Sequence, residues 1–558
     1  MEASVHQITC DVVVVGSGLS GTTAALSAAE DGADVVLVSL GPLFSGSSFY
    51  PGTWGLGCVG PENTDDEDEF ISTILEVGQN VPDPKLVSTL VHETPLALAA
   101  LEQKGVKLTC PKHADEQEFI PCFDHKHRMW RGIQRKPYEQ TISRLLHQSN
   151  VTIHSGLEAI ELLVHPHCDL DSTPGLTSAP EKATTVCGVV CFDHNEDSPT
   201  AGQLIQINAG SVVLATGGSG GLFARRLTGY DVIGSAQGMA TSVGASLTNI
   251  EFIQIMPGLI GAGEGTVFNE KIFRHVTLTN LQNNPVLPAQ DTHKILEARS
   301  EHGPFTCERI SREVDFALAR AGDKGLLVRY APKAAATTNS CAKSADINTT
   351  NELPEFVDVY FTWLYEHAGI TINDTMRIAA YAHAANGGIA IDSDGFCGVD
   401  GLYACGECSG GVHGADRIGG LASASALVFG RRAGYAAAKH ALHIGENRLR
   451  SHKENLSATT TYNTFEGIDA QTAALLTSHM QKTMSKNCLI LRSSQSLDQA
   501  ARELSLCLDT LNANATPTNE AVAYARAMRL RHQINHAQAI VAAATRRTHS
   551  LGAHCYTE

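Results

Sequence analysis

The sequence predicts an α/β protein: a Rossmann-like nucleotide-binding domain, interrupted by an inserted α+β capping domain and followed by a C-terminal helical domain. Three observations carry this. The amino end reads as strand, glycine turn, helix, strand; two later strands also end in glycine turns that belong to the same site; and residues 470 to 550 are nearly free of glycine, with apolar residues at spacings of three and four.

Composition bounds the rest. With 558 residues, 43% hydrophobic and 18% charged, the chain is a globular protein of several domains and not a disordered one. Acidic residues number 59 against 41 lysines and arginines, a net charge of −18, which repels phosphate backbones and argues against nucleic acid as a partner. No apolar run is long enough to span a bilayer, and Met1 to Cys10 lacks the basic and apolar regions of a signal peptide. The expectation is a cytoplasmic protein with no membrane contact. Most of the 15 cysteines are solitary, such as Cys10, Cys58, Cys341 and Cys507, as suits reduced, buried thiols. Cys405-Gly-Glu-Cys408 is a lone C-x-x-C without a second pair, so small side chains in a tight turn are favoured over redox or metal chemistry.

The first unit runs from the apolar strand Val12 to Val15 through Gly16-Ser-Gly18-Leu19-Ser20-Gly21, an alanine-rich helix to Glu30, and a second strand from Asp34 to Leu40. Gly16 makes the tight turn, Gly18 lets backbone approach a pyrophosphate, and Gly21 lets helix pack on strand, with the helix N-terminus facing the phosphates. This is a dinucleotide site. The acidic residue usual at the end of the second strand is absent, and Ser39 there offers a weaker hydrogen bond. The run Thr64 to Glu69 reads as a solvated helix start. Ser211 to Gly218 is a strand closing in Ala215-Thr216-Gly217-Gly218, and Gly401 to Glu407 is another, with Gly406 and Glu407 in its turn. An alanine-rich helix follows from about Ala424 to His440. In the carboxyl-terminal region Leu497, Ala501, Leu504 and Leu508 exemplify the helical stripe.

Together these stretches resemble, over nearly the whole chain, the flavoprotein subunit family that includes fumarate reductase, succinate dehydrogenase and L-aspartate oxidase. The resemblance implies FAD. Phe44 to Tyr50, with Ser47 and Ser48, is similar to the glycine-serine turn over the flavin; where some members attach FAD to a histidine, Ser48 and Phe49 stand here, which implies noncovalent FAD. In the family the glutamate matching Glu407 hydrogen-bonds the ribityl chain, and the arginine matching Arg417 faces the substrate carboxylate; an ordinary ion pair is the alternative for Arg417. Tyr381 to Gly388 keeps the family's histidine at His383. Asp124-His-Lys-His-Arg128 resembles a histidine-rich substrate loop but is a poor metal site, because His125 and His127 alternate sides of an extended chain and no third ligand is evident. Arg547 to His554 resembles the close of the family's helical domain.

Such a family performs hydride transfer at a carbon near a carboxylate or amine, where arginine forks suit carboxylates and histidine donates at neutral pH. Two positions depart from the pattern. Glu251-Phe-Ile-Gln254-Ile-Met256-Pro257 carries methionine where the family has a substrate-facing histidine. The proton-carrying arginine of R-D-x-x-x-R is Cys307 in one register, with Arg312 as the second arginine, and Arg309 in a register shifted by two. Arg309, His383 and Arg417 are therefore the candidate catalytic residues; a helix-surface ion pair is the alternative for Arg309, and His302 in its glycine–proline loop is a weaker candidate. The expected organisation is a FAD-binding domain over 1–255 and 371–445, a cap over 256–370 with an exposed loop at Ala331 to Asn351, and a helical domain over 446–558. The implied substrate is a small organic acid or amino acid. An alternative is a flavin subunit relaying electrons to an iron–sulfur partner on another polypeptide.

Overall fold

The computed structural model describes residues 6–53, 56–111, 120–166, 184–331, 355–456 and 465–558. Cys341 and, apart from Ala331, the loop expected over Ala331 to Asn351 lie outside them.

The amino-terminal strand β1 (His6–Val15) is buried on both faces from Val12 to Val15, as a central parallel strand requires, and enters helix α1 (Leu19–Glu30) through the glycine turn. Strands β2 (Val35–Ser39), β3 (Val151–Ser155), β4 (Leu157–Pro166), β5 (Thr184–Asp193) and β6 (Leu204–Leu214) complete a sheet of order β3-β2-β1-β6-β5-β4, and Leu402–Ala404 adds a seventh strand beside β6. β1 pairs in parallel with β2 (Val12 opposite Val35) and with β6 (Val12 opposite Ser211), so both glycine turns open at the same edge. Ligand crevices form at such carboxyl ends of parallel strands. Helix α2 (Glu67–Val77) lies beyond this sheet.

The cap is a four-stranded antiparallel sheet. Its strands β7 (Ile253–Leu259), β8 (Val276–Thr279), β9 (Leu326–Tyr330) and β10 (Met376–Ala385) take the order β7-β10-β9-β8, over a core that includes Phe268, Phe273 and Tyr360. β10 belongs to this sheet, whereas the expected boundary at 370/371 assigns it to the nucleotide-binding domain. Its apolar residues satisfy their backbone groups against β7, with Met256 opposite Tyr381. The strand then delivers His383 back to the crevice.

Helix α3 (Leu421–Leu456) crosses α1 so closely that a Cβ at Gly434 would meet the Ala24 carbonyl oxygen at 2.2 Å, which explains the alanine and glycine content of both helices. Helices α4 (Ala470–Asn487), α5 (Ser494–Asn514) and α6 (Ala521–Arg546) pack around Met480, Met484, Leu504, Leu530 and Ile534. The buried stripe of α5 is Leu497, Ala500, Leu504, Cys507 and Leu511. Ala501 is exposed and Leu508 half-buried, one position off the stripe expected from spacing, since the 3.6-residue turn allows either neighbour. Among the described residues no helix is long and apolar enough to cross a membrane.

The acidic run is not merely solvated. Asp66 is 6% exposed, and with Glu69 it binds the buried guanidinium of Arg128, at 2.6 and 2.9 Å; Asp124 meets the same group at 2.9 Å and Lys126 reaches Asp66 at 2.6 Å. His125 pairs with Glu69 at 2.9 Å. The run thus anchors the histidine-rich loop through cation pairing, an interaction 55 or more residues apart in sequence that local patterning does not reveal.

Candidate functional site

A cavity of about 680 Å³ runs from the glycine turn of α1 to the underside of the cap. Its first end is built from backbone. Gly16 has φ +111, and a Cβ there would lie 2.3 Å from the Ala215 carbonyl oxygen; one at Gly21 would lie 1.8 Å from that of Gly16. Gly18 differs: a Cβ would have only Ser45 O and Ser48 Oγ near it, at 3.7 and 3.9 Å, so its open side faces the cavity. The N-terminus of α1 has no side-chain cap. Its unpaired N–H groups and dipole therefore point to a place where an anion is stabilised.

Gly16, Gly18, Leu19, Ser20, Ser39, Ser47, Ser48, Ala215, Thr216, Gly217, Gly406 and Glu407 all line the cavity. Gly21 and Gly218 stand behind it. Gly218 makes room for Glu407, whose Oε1 would lie 2.3 Å from a Cβ and accepts a hydrogen bond from the Ala385 N–H at 2.9 Å. Burial raises the Glu407 pKa. Ser39 is already engaged: its hydroxyl donates to Gly41 O at 2.9 Å and accepts from Ser17 Oγ at 2.8 Å. It keeps acceptor capacity for a ribose hydroxyl but not the donor that its position suggested.

Several cofactor-end residues have no local motif. Arg135 donates to Ser48 O at 2.9 Å and Thr53 O at 2.8 Å and so holds the turn over the cavity. Helix α6 hydrogen-bonds the far wall: Gln533 donates to Ile233 O at 2.7 Å, His536 to Gly234 O at 2.9 Å and His532 to Ile160 O at 3.1 Å, while Arg529 pairs with Glu158. Glu158, Ile233 and Gly234 line the cavity.

The second end gathers side chains. Arg417, His383 and His413 line it, together with Met256, Cys122, Glu270 and Lys271. Gln254 accepts from Arg417 Nε at 3.1 Å and from a terminal nitrogen at 2.6 Å. No carboxylate among the described residues lies within ion-pair distance of Arg417, so its orientation is fixed by a neutral partner and its charge stays available. His383 Nδ1 and His413 Nδ1 are buried without hydrogen-bond partners. Burial, followed by the Arg417 charge, pushes His383 down to about 4 and His413 also far below the usual imidazole range. Both rings are neutral at pH 7. Asp416, next to Arg417, accepts from Thr306 Oγ1 at 2.7 Å, and burial pushes it up to about 8.

The structure does not bring Arg309 to the cavity. It is 40% exposed, 3.5 Å from Glu301, and its guanidinium lies 5.7 Å from the centre of the Phe123 ring. Phe123, at φ +69, also stacks on His302 at 5.3 Å. His302 is buried between Pro304 O and Ser311 Oγ, and Arg312 donates to Cys307 O. Cys307 is buried against Glu308 and the His554 carbonyl and does not line the cavity either. Neither register thus supplies a proton-carrying arginine, and this wall is built from Gly303 and Pro304. Cys405 and Cys408 are buried on either side of a short 3-10 turn, with the Cys408 thiol pushed up to about 11 by burial. Among the described residues no group of three or more histidine, cysteine or carboxylate side chains is placed to hold a metal.

Comparison with known proteins agrees with this geometry. The family described as FAD binding domain matches residues 11–274 and 332–422, and that described as Fumarate reductase flavoprotein C-term matches 477–558. One subunit of the fumarate reductase (CoM/CoB) of Methanothermobacter marburgensis is 26% identical over 543 residues, covering 92% of this chain and 86% of its own. An L-aspartate oxidase of Halobacterium salinarum is 26% identical over 434 residues, covering 77% and 76%. The fold is that of the Mycobacterium smegmatis Sdh1 complex in its apo form (TM-score 0.71, 21% identity, 99% of this chain and 89% of that one). It is equally that of a quinol–fumarate reductase (TM-score 0.72, 20% identity, 99% and 93%).

Proposed function

The chain belongs to the FAD-binding family whose model spans more than half of it and is a FAD-dependent oxidoreductase; from that premise we propose that it transfers hydride between FAD and a carbon of a small carboxylate that is not a dicarboxylate. FAD, when bound, supplies the hydride donor or acceptor. The chain's own residues do the rest. The glycine turn and the N-terminus of α1 hold the pyrophosphate, and Glu407 faces the ribityl chain. With Ser48 and Phe49 in the turn, no side chain there is suited to attach the cofactor, so acid precipitation should release all the flavin. Arg417, oriented by Gln254, clamps one carboxylate, and neutral His383 and His413 add hydrogen bonds.

The observation that carries the exclusion of dicarboxylates is Met256, 8% exposed and lining the cavity. Its thioether donates no hydrogen bond, so a second carboxylate beside it loses water without replacement, at about 1–3 kcal/mol. Steady-state rates with fumarate, succinate and L-aspartate should be poor beside those with monocarboxylates. Ordinary rates and submillimolar Michaelis constants for the dicarboxylates would overturn this. The second reading, relay to an iron–sulfur partner, draws on relatives named as subunits. Copurifying iron in a second polypeptide would favour it.

A further inference from the structure

The wall opposite Arg417 has a chemical character of its own. A methyl group built on Gly303 would meet Met256 Cε at 3.3 Å, Glu270 Cδ at 3.8 Å and Cys122 Sγ at 3.9 Å, so these three side chains converge on one point of the cavity. Glu270 is half-buried, and among the described residues its carboxylate has no hydrogen-bond or ion-pair partner. Other charges nearby do not neutralise it. Arg299 is spent on Asp315 and the His302 carbonyl, and Lys271, which lines the same wall, has a contact of its own. The Cys122 thiol is held neutral, pushed up to about 11 by burial and secondly by the Glu270 charge.

The cavity is therefore polarised, with a cationic donor pole at Arg417 and an acceptor pole at Glu270 beside two soft sulfur groups. A ligand that satisfies both carries a carboxylate at one end and a hydrogen-bond donor at the other. We propose that Glu270 is a specificity-determining residue that receives a substrate ammonium group, making the substrate class an amino-carboxylic acid. A dicarboxylate is then rejected twice, by Met256, which cannot donate, and by Glu270, which repels. A methyl-ended acid meets neither penalty but leaves the Glu270 carboxylate without its partner.

This rests on the carboxylate clamp argued above, and the test separates the two. Butanoate, succinate and 4-aminobutanoate share a four-carbon skeleton and differ only in the second end. Their equilibrium binding to the FAD-loaded protein is read from perturbation of the flavin absorption spectrum, which needs no turnover. The expected order is 4-aminobutanoate, then butanoate, then succinate, with about tenfold between the first two, the scale of one charge-assisted hydrogen bond. In Glu270→Gln that tenfold preference should vanish while butanoate binds as before, and unchanged butanoate binding and flavin content also show that the variant is folded. Succinate binding tightest, or an ammonium preference that persists in Glu270→Gln, would overturn the assignment of Glu270. Failure of butanoate to bind, or butanoate binding indifferent to Arg417→Met, would instead remove the clamp and both readings with it.

Discussion

The two ends of the cavity are built on opposite principles. The cofactor end is made of backbone: Gly16, Gly18 and Gly21 shape it, and distant elements tighten it through carbonyl oxygens, Arg135 on Ser48 and α6 on Ile160, Ile233 and Gly234. The substrate end is made of side chains on several segments: the Cys122 loop, β7, the Glu270 segment, β10 and the Arg417 loop. Backbone cradles tolerate almost no change, because a single Cβ strikes a carbonyl. A wall of side chains can be altered one residue at a time without unmaking the fold. That asymmetry accounts for a standard nucleotide cradle beside a substrate wall where Met256 and Cys307 depart from the pattern of the flavoproteins that this chain resembles.

The largest expected effect tests the rigid end. Gly16→Ala and Gly21→Ala should yield protein without retained FAD after desalting, read from the flavin-to-protein absorbance ratio, since each Cβ would lie 2.3 Å or less from a carbonyl oxygen. Full flavin content in either would break the contrast. Next in size are Arg417→Ala and His383→Ala. Each should keep its FAD but lose about a hundredfold in turnover, on the order of 3 kcal/mol. Flavin loss instead would move that residue to the cofactor end.

Arg529→Met sharpens the comparison from outside the cavity. It leaves Glu158, 2% exposed, with only His194 at 2.8 Å. Arg529 is itself about one-third exposed, so the loss is discounted to roughly 2 kcal/mol, or about thirtyfold weaker FAD binding. Turnover at saturating FAD should be unchanged, and a fall in saturated turnover would place α6 among the substrate-end determinants. Met256→His is smaller again: dicarboxylate turnover should rise about tenfold, the value of one restored hydrogen bond. No change would mean that Met256 is not what limits dicarboxylate use.

How far each end is legible in sequence follows from the same contrast. The cradle is readable because its constraints are local, a few glycines between two apolar strands. Arg417 and His383 are found only through the family they resemble, since nothing in their own neighbourhoods announces a carboxylate site. Glu270, Cys122 and Gln533 carry no local signal at all; each acts on residues brought near by the fold, and Gln533 is 300 positions from its partner. Arg309 shows the limit of a motif in an ambiguous register: it lies just before the helix that starts at Arg312, exposed beside Phe123 rather than in the cavity. Charge runs mislead similarly, since the burial of Asp66 depends on Arg128, 62 residues away.

Asp416 gives the last and smallest effect at neutral pH. It stands between the two principles, since its neighbour Arg417 serves the substrate while its own carboxyl is sealed in protein against Thr306. Burial pushes its pKa up to about 8 from the ordinary 3.8. The folded protein therefore binds this proton more tightly than the unfolded chain does. The resulting stabilisation is fully present below about pH 4, where both forms are protonated, and is lost as pH rises towards 8. Between pH 6 and 8 the loss amounts to about 1 kcal/mol per pH unit, and about 1 kcal/mol remains at pH 7. Asp416→Asn removes the titration and keeps a polar group of the same shape. Chemical denaturation from pH 6 to 9 should show stability falling in the parent protein and less steeply in the variant, with the two profiles differing in slope up to pH 8 and running parallel above it. Parallel profiles throughout would mean that Asp416 is already ionised in the folded protein, with its charge balanced by Arg417 across the wall of the substrate end.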